Sequence, residues 1–291
     1  MLVRFLSFIV CRLPLEKALA FARAIAWVWF WVVPVRKGVA MVNVRKALGD
    51  DAPAGRIVQG CMKTLTMFVV ESLRLPRLTR AKADEIVEVR GQEILDAALA
   101  QGRGVVVITA HMGNFDLLGC VHALRGIKAN IVYKNIGWRS AHAFFFAARR
   151  KAGVTVIAPK GSERQILRAL RSNEAVGFVI DQHMPKHRGI VCTFFGRYVS
   201  TTPAPALFAL KTGALVVPAL IRRVGDSGHH VSQIYPPIVM EQPHADRAAN
   251  LRHNTQRMND WLEAEVRKTP EQWLWLHKRW KVDDNPHGWD L

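Results

Sequence analysis

Five short segments with few polar residues constrain this chain most: IVEVR (86–90), GVVVITA (104–110), VTVIA (154–158), AVGFVID (175–181) and LVVPALIRR (215–223). A strand with one wet face alternates apolar and polar side chains, whereas one that is apolar throughout is covered on both faces, as in a parallel sheet between helices. Stretches with helical spacing separate them, at 92–101, 114–125, 139–152, 163–172 and 203–212, and they are long enough for the crossovers that parallel pairing requires. The expected fold class is therefore α/β, a largely parallel central sheet flanked by helices. Further helices are expected at 38–50, at 56–75, where Leu75-Pro76 marks an end, and at 244–268. No internal repeat or low-complexity linker interrupts residues 36–291, which read as one domain.

The front of the chain is of another kind. Residues 24–35, AIAWVWFWVVPV, form an unbroken apolar run, yet a helix needs about 20 such residues to cross a bilayer. Upstream, Arg4, Arg12, Lys17 and Arg23 are spaced along apolar sequence in the manner of an interfacial anchor; a tilted span with snorkelling arginines is the second reading. Pro34-Val35-Arg36-Lys37 follows where a signal peptide would carry a small-residue cleavage site, so residues 1–35 are expected to be a retained membrane-anchoring helix. Tryptophans cluster at 27, 29 and 31 and again at 273, 275, 280 and 289; each cluster is either core or bilayer interface.

The net charge of +18 favours polyanions: nucleic acid, an anionic membrane surface or phosphorylated substrates. Cys11, Cys61, Cys120 and Cys192 are scattered, which excludes a zinc ribbon or a secreted disulfide scaffold and suggests a reducing compartment. No G-x-S-x-G, Walker or dinucleotide glycine motif occurs.

The chemistry concentrates in V-V-V-I-T-A-H-M-G-N-F-D, residues 105–116. A buried strand ends at His111, where open α/β sheets place ligands; Gly113 permits a tight turn and Asn114 caps a helix whose first turn holds Asp116. A carboxylate there is favoured by the helix dipole, and bent back onto one imidazole nitrogen it leaves the other free as a base. Such a pair takes the proton from an acceptor hydroxyl, so the hydroxyl itself is the nucleophile. Downstream, the 64 residues Leu117 to Ile180 carry 11 Lys or Arg against Glu163 and Glu174, a net of +9. Lys134, Arg149, Arg150, Lys151, Lys160 and Arg164 are expected to frame a phosphorylated headgroup or an acidic acyl carrier, although Arg164, Arg168 and Arg171 at helical spacing read better as a solvated face. Asp181 and Gln182 end another apolar strand near the same crevice, where Asp181 is expected to pair with an arginine or shape the site. Pro185 breaks the spacing between His183 and His187, so no metal site is expected, and His229-His230 reads as a surface loop.

These residues resemble a known family, the lysophospholipid acyltransferase superfamily, and within it the bacterial lipid A lauroyl and myristoyl acyltransferases and the phosphatidylinositol mannoside acyltransferases. The resemblance lies in H-M-G-N-F-D at 111–116, I-D-Q at 180–182, F-F-G at 194–196, T-T-P-A-P-A at 201–206, K-T-G-A-L-V-V-P at 211–218 and P-E-Q-W-L-W-L-H-K-R-W-K at 270–281, spread over about residues 35–281. It implies a membrane-associated O-acyltransferase on the cytoplasmic face of the inner membrane, active in lipid A and lipopolysaccharide biosynthesis. His111 would be its general base and Asp116 its catalytic partner, with no covalent enzyme intermediate. Asn114, Lys134, Arg149, Arg150, Asp181 and Gln182 are the candidate substrate-binding residues. No cofactor is implied: an acyl carrier protein or coenzyme A thioester is the co-substrate and a phosphorylated lipid or glycolipid the acceptor. The lipid A enzymes mostly carry Glu where this chain has Asp116, as glycerolipid and mannoside acyltransferases do, which leaves a lysophospholipid or mannoside acceptor as the alternative. A noncatalytic basic membrane-binding protein is the reading from another class; no nucleic-acid motif is present.

Overall fold

The computed structural model describes residues 2–133, 137–158 and 161–289. Four helices come first: α1 (Leu2–Arg12), α2 (Leu15–Trp31), α3 (Lys37–Leu48) and α4 (Ala54–Arg74). After α5 (Arg80–Ile86), strands and helices alternate: β1 (Val87–Arg90), α6 (Gln92–Leu99), β2 (Val105–Thr109), α7 (Phe115–Leu124), β3 (Ala129–Val132), α8 (Arg139–Lys151), β4 (Thr155–Ile157), α9 (Glu163–Arg171) and β5 (Ala175–Val179). The chain continues through β6 (Ile190–Phe194), β7 (Arg197–Thr201), α10 (Ala204–Thr212), β8 (Leu215–Arg223), β9 (His230–Ile234), α11 (Arg247–Lys268) and α12 (Lys281–Asp284).

Seven strands form one sheet in the order β1-β9-β8-β2-β5-β3-β4. Every pairing is parallel except β8 with β9. The sheet is covered on both faces. Val106, Ile108, Val176, Phe178 and Val216 join one apolar cluster, and their neighbours Val105, Val217 and Ala219 join the other, as alternating side chains must. That double coverage is why these strands read as continuous apolar runs.

Two departures from the sequence expectation concern the N-terminal segment and the strand beside β8. The N-terminal segment is two helices, not one, because Pro14 withholds an N–H and disfavours helical backbone at Leu13. The carbonyls left over at the end of α1 are taken by guanidinium groups from the end of α4 and the turn beyond it: Arg77 Nη1 donates to Cys11 O at 2.8 Å and Arg74 Nη1 to Leu13 O at 2.9 Å. The Ser7 hydroxyl donates to Leu73 O at 2.6 Å. The second departure is β9, HVSQI, with His230 at its start and 1% exposed, where the sequence reads as a surface loop.

Helix α2 turns Ala18, Leu19, Ala22 and Ala26 inward, and these small side chains let it lie close on Met67 and Val70 of α4. The opposite face is bare: Phe21, Trp27 and Trp31 of α2, with Leu2, Phe5 and Phe8 of α1, are each more than half exposed. Apolar patches of this kind mark interaction surfaces. Among the described residues, no helix is long and apolar enough to cross a membrane. The C-terminal tryptophans behave oppositely: Trp273, Trp275 and Trp280 are at most 2% exposed and pack edge-to-face or stacked on one another and on Phe194.

Candidate active site

Strands β2 and β5 pair in parallel with Thr109 opposite Val179, so residues two positions beyond, His111 and Asp181, leave the sheet side by side. The imidazole Nδ1 donates to Asp181 Oδ1 at 2.8 Å, and the backbone N–H of His111 donates to Asp181 Oδ2 at 2.9 Å. The Trp273 indole N–H completes the set at 2.8 Å to Oδ2. Asp181 is 2% exposed. Burial alone would raise its pKa, but the facing imidazole and these three donors outweigh that and hold it at about 2.

For His111, burial opposes the charged ring, and the charge and hydrogen bond of Asp181, with a smaller contribution from Asp116, overcome it and raise the pKa. An acceptor-only carboxylate on Nδ1 fixes the proton there and leaves the Nε2 lone pair available. The side-chain amide of Gln182 donates to Nε2 at 3.3 Å. The ring retains 21% exposure and borders a pocket of about 70 Å³ lined chiefly by Leu65, Phe68, Phe115, Trp273 and Leu274. Cys61 also lines it, but burial pushes its thiol up to about 12, so it supplies no thiolate nucleophile near neutral pH.

Asp116 corrects the sequence expectation. It does not hold His111; it makes a buried pair with Arg149, whose Nη2 reaches both carboxylate oxygens at 2.7 and 2.8 Å while Nε reaches Oδ1 at 3.2 Å. The cause is helical rotation. Successive residues of a helix point about 100° apart, and in α7 it is Phe115 that faces the imidazole, its ring 4.7 Å away edge-to-face and stacked on Phe68 of α4 at 4.7 Å. Asp116, one residue on, faces α8 instead.

The substrate-binding candidates separate in the same way. Asn114 is fully buried: its Oδ1 accepts from Leu117 N at 3.1 Å to cap α7, and its Nδ2 donates to Glu71 Oε2 at 2.8 Å, so its polar atoms are engaged within the protein. Arg149 is 3% exposed and committed to Asp116 and to the Tyr133 ring, 4.1 Å from its guanidinium carbon. Asp181 is the partner of His111 rather than of an arginine. Gln182 lies at the His111 ring, Arg150 is exposed on α8 with its guanidinium over the Phe146 ring, and Lys134 and Lys160 lie outside the described residues.

The tight turn expected at Gly113 is present, but sequence reasoning missed what holds it in place. Gly113 has φ of +56°, and a Cβ there would stand 2.2 Å from Ile221 O, so the turn accepts only glycine. The segment after α11 runs alongside it: Met112 bridges Trp273 antiparallel, Gly113 N donates to Gln272 O at 3.0 Å, and Leu274 N donates to His111 O at 3.1 Å. Arg279, fully buried, donates to Gln182 O at 2.9 Å and Ser200 O at 2.7 Å, anchoring the loop that carries Asp181; burial lowers its pKa to about 10. Glu71 gathers Asn114, Arg223 Nη2 at 2.7 Å and His230 Nε2 at 3.1 Å. Burial pushes its pKa up, and these partners more than reverse it, to about 2. The motif at 270–281 is visible in the sequence as a resemblance, but its pairing with residues 111–113 is not.

A sequence profile described as bacterial lipid A biosynthesis acyltransferase matches residues 1–282. A phosphatidylinositol mannoside acyltransferase of Mycobacterium tuberculosis is 27% identical over 219 residues, 73% of this chain. The chain covers 66% of that protein, just under two thirds. The lipid A biosynthesis palmitoleoyltransferase of Escherichia coli is 27% identical over 255 residues, covering 85% of this chain and 79% of that one. The lipid A biosynthesis myristoyltransferase of the same organism is 26% identical over 248 residues, covering 84% and 74%.

Proposed function

Because the chain belongs to the bacterial lipid A biosynthesis acyltransferase family, we propose that it moves a fatty acyl group from a thioester donor to a hydroxyl of a lipid A precursor or related glycolipid. The observation that carries this is His111 with Nδ1 tied to Asp181 and its ring lining a largely apolar pocket. Nε2 takes the proton of the acceptor hydroxyl as its oxygen attacks the thioester carbonyl. Asp181, already ionised, stabilises the imidazolium that forms, and the proton then passes to the departing thiolate. Positioned bases of this kind contribute about 10²–10⁴ in rate. Gln182 yields Nε2 to the hydroxyl when the acceptor arrives. Asp116 and Arg149 act as a buried strut between α7 and α8, and the exposed Arg150 is the arginine of the pair left free to bind a phosphorylated headgroup.

A second reading concerns the acceptor. Asp at 116 and the similarity to the mycobacterial enzyme favour a mannoside-type or lysophospholipid acceptor over the lipid A disaccharide. In either case the donor is an acyl carrier protein or coenzyme A thioester. The enzyme works at the cytoplasmic face of the inner membrane with the bare faces of α1 and α2 in the bilayer interface, and residues 36–291 act as one catalytic domain.

The test is incubation of purified protein and of His111→Ala with inner-membrane lipid extract and radiolabelled acyl thioester on either carrier. Label in a lipid A precursor supports the first reading and label in a mannoside or glycerophospholipid the second. Equal labelling by His111→Ala removes His111 from the chemistry.

A further inference from the structure

A groove of about 410 Å³ lies between α1, the turn after α4, and α8, apart from the pocket at His111. Its lining holds three cations, Arg4, Arg77 and Lys151, and no carboxylate. The apolar wall is Phe8, Phe144, Ala147 and Ala148. Both Arg77 and Lys151 are half-engaged. Arg77 donates to Cys11 O, and the ammonium of Lys151 donates to Pro76 O at 2.7 Å. A guanidinium has five N–H donors and an ammonium three, so each retains donors for a further acceptor. Among the described residues Arg4 has no ion-pair or hydrogen-bond partner. One mouth of the groove is continuous with the bare face of α1, since Phe8 belongs to both and is 53% exposed.

We propose that this groove holds one anionic glycerophospholipid of the bilayer, distinct from either substrate, with its phosphate on Arg4, Arg77 and Lys151 and an acyl chain along Phe8 and Phe144. The charge decides the occupant. Three cations without a carboxylate attract an anionic headgroup far more than a zwitterionic one, and each basic side chain near such a surface strengthens binding by about fivefold. The apolar wall excludes free phosphate as the natural occupant, because it would leave the chain-sized part of the groove wet. The site would also reinforce the join between α1 and α8, where Val3 and Val10 already pack with Ala141, Phe144 and Phe145. This rests on α1 facing the bilayer, and the experiment separates the two.

Flotation with vesicles of phosphatidylcholine alone tests the membrane reading; adding 30 mol% phosphatidylglycerol, taken as about a third of the surface as in anionic leaflets, tests the groove. Full-length protein is compared with Arg4→Gln/Lys151→Gln and with a charge-matched control, Arg168→Gln/Arg171→Gln on α9, which packs on α10 and β5. The groove variant should lose at least about tenfold of the increment due to phosphatidylglycerol while binding to phosphatidylcholine is unchanged, and the control should lose about twofold or less. Titration of the soluble protein with monomeric dihexanoyl phosphatidylglycerol, and with inorganic phosphate, reads the groove without a bilayer. Saturable binding of the short lipid, lost in the groove variant and not displaced by inorganic phosphate, supports the assignment. Equal loss in control and groove variants, or displacement by phosphate alone, overturns it, as does a groove variant whose only defect is turnover with acyl carrier protein thioester.

Discussion

Asp181 accepts three hydrogen bonds from groups that are all donors, the His111 backbone, its ring and the Trp273 indole. Asparagine in its place turns an N–H toward one of them. Asp181→Asn should therefore lower kcat by about 10²–10⁴, through loss of the correct tautomer and of imidazolium stabilisation. It also removes the charge that raises the His111 pKa, so the acid limb of kcat/KM should move to lower pH; the pH–rate profile checks both. An unmoved limb would mean that Asp181 does not govern the base. Asp116→Ala differs in kind. It leaves Arg149 charged and buried without its partner, a change that typically costs about 3–5 kcal/mol. Denaturant unfolding should register that loss, while kcat of the folded fraction stays within about tenfold. An unchanged unfolding midpoint with abolished turnover would return this carboxylate to the chemistry.

Among the elements, those with a strong local pattern are legible in the amino-acid sequence alone. The run at 215–223 is β8 to the residue, and the strand expected at 104–110 is β2 with one residue trimmed at each end. Strands β3, β6, β7 and β9 are not. β3 is four residues with Asn130 inside it, and β9 buries His230 and Ser232, two polar side chains bonded to Glu71 and His122, so no apolar run marks it. The β6–β7 hairpin turns through Phe195 and Gly196, both at positive φ, where Asn-Gly is the usual signal, so its sequence announces no turn. At the site, the apolar run marks the end of β5 but not its register against β2, and register alone makes Asp181 the neighbour of His111. The α1 and α2 faces yield an element-level prediction. Phe5→Glu/Trp27→Glu alters two side chains that are 60% and 56% exposed, so stability should change by less than about 0.5 kcal/mol while vesicle binding falls by more than about tenfold. Parallel measurements of unfolding and of flotation decide it, and retained flotation would remove these helices from the bilayer.

Taken as a whole, the molecule should lose stability steadily as pH falls from neutral. Burial and the neighbouring cations lower His122 and His277 to about 4, so below pH 6.5 the unfolded chain takes up protons that the folded one refuses. From about 4 downward the same holds for Glu71 and Asp181, both held at about 2 in the fold, whose stabilising contribution is present above their unfolded values near 4 and lost as pH falls through 2. His111 opposes this: its raised pKa gives a contribution that is full below 6.5 and fades as pH rises. Urea midpoints between pH 7 and 3 should decline throughout. Glu71→Gln should flatten the acid end of that curve and leave the part between 6 and 5 intact.

The strand of contacts from Met112, Gly113 and His111 to residues 272–274 also has a history in time. A ribosome adds about 5–20 residues per second, so 10–30 s, roughly, separate the synthesis of His111 from that of Trp273. Throughout that interval α1 and α2 are already outside the exit tunnel and free to settle on a lipid surface, while the carboxylate of Asp181 lacks its indole donor. Each newborn copy thus presents the bare faces of α1 and α2 first and completes the hydrogen bonds around Asp181 last.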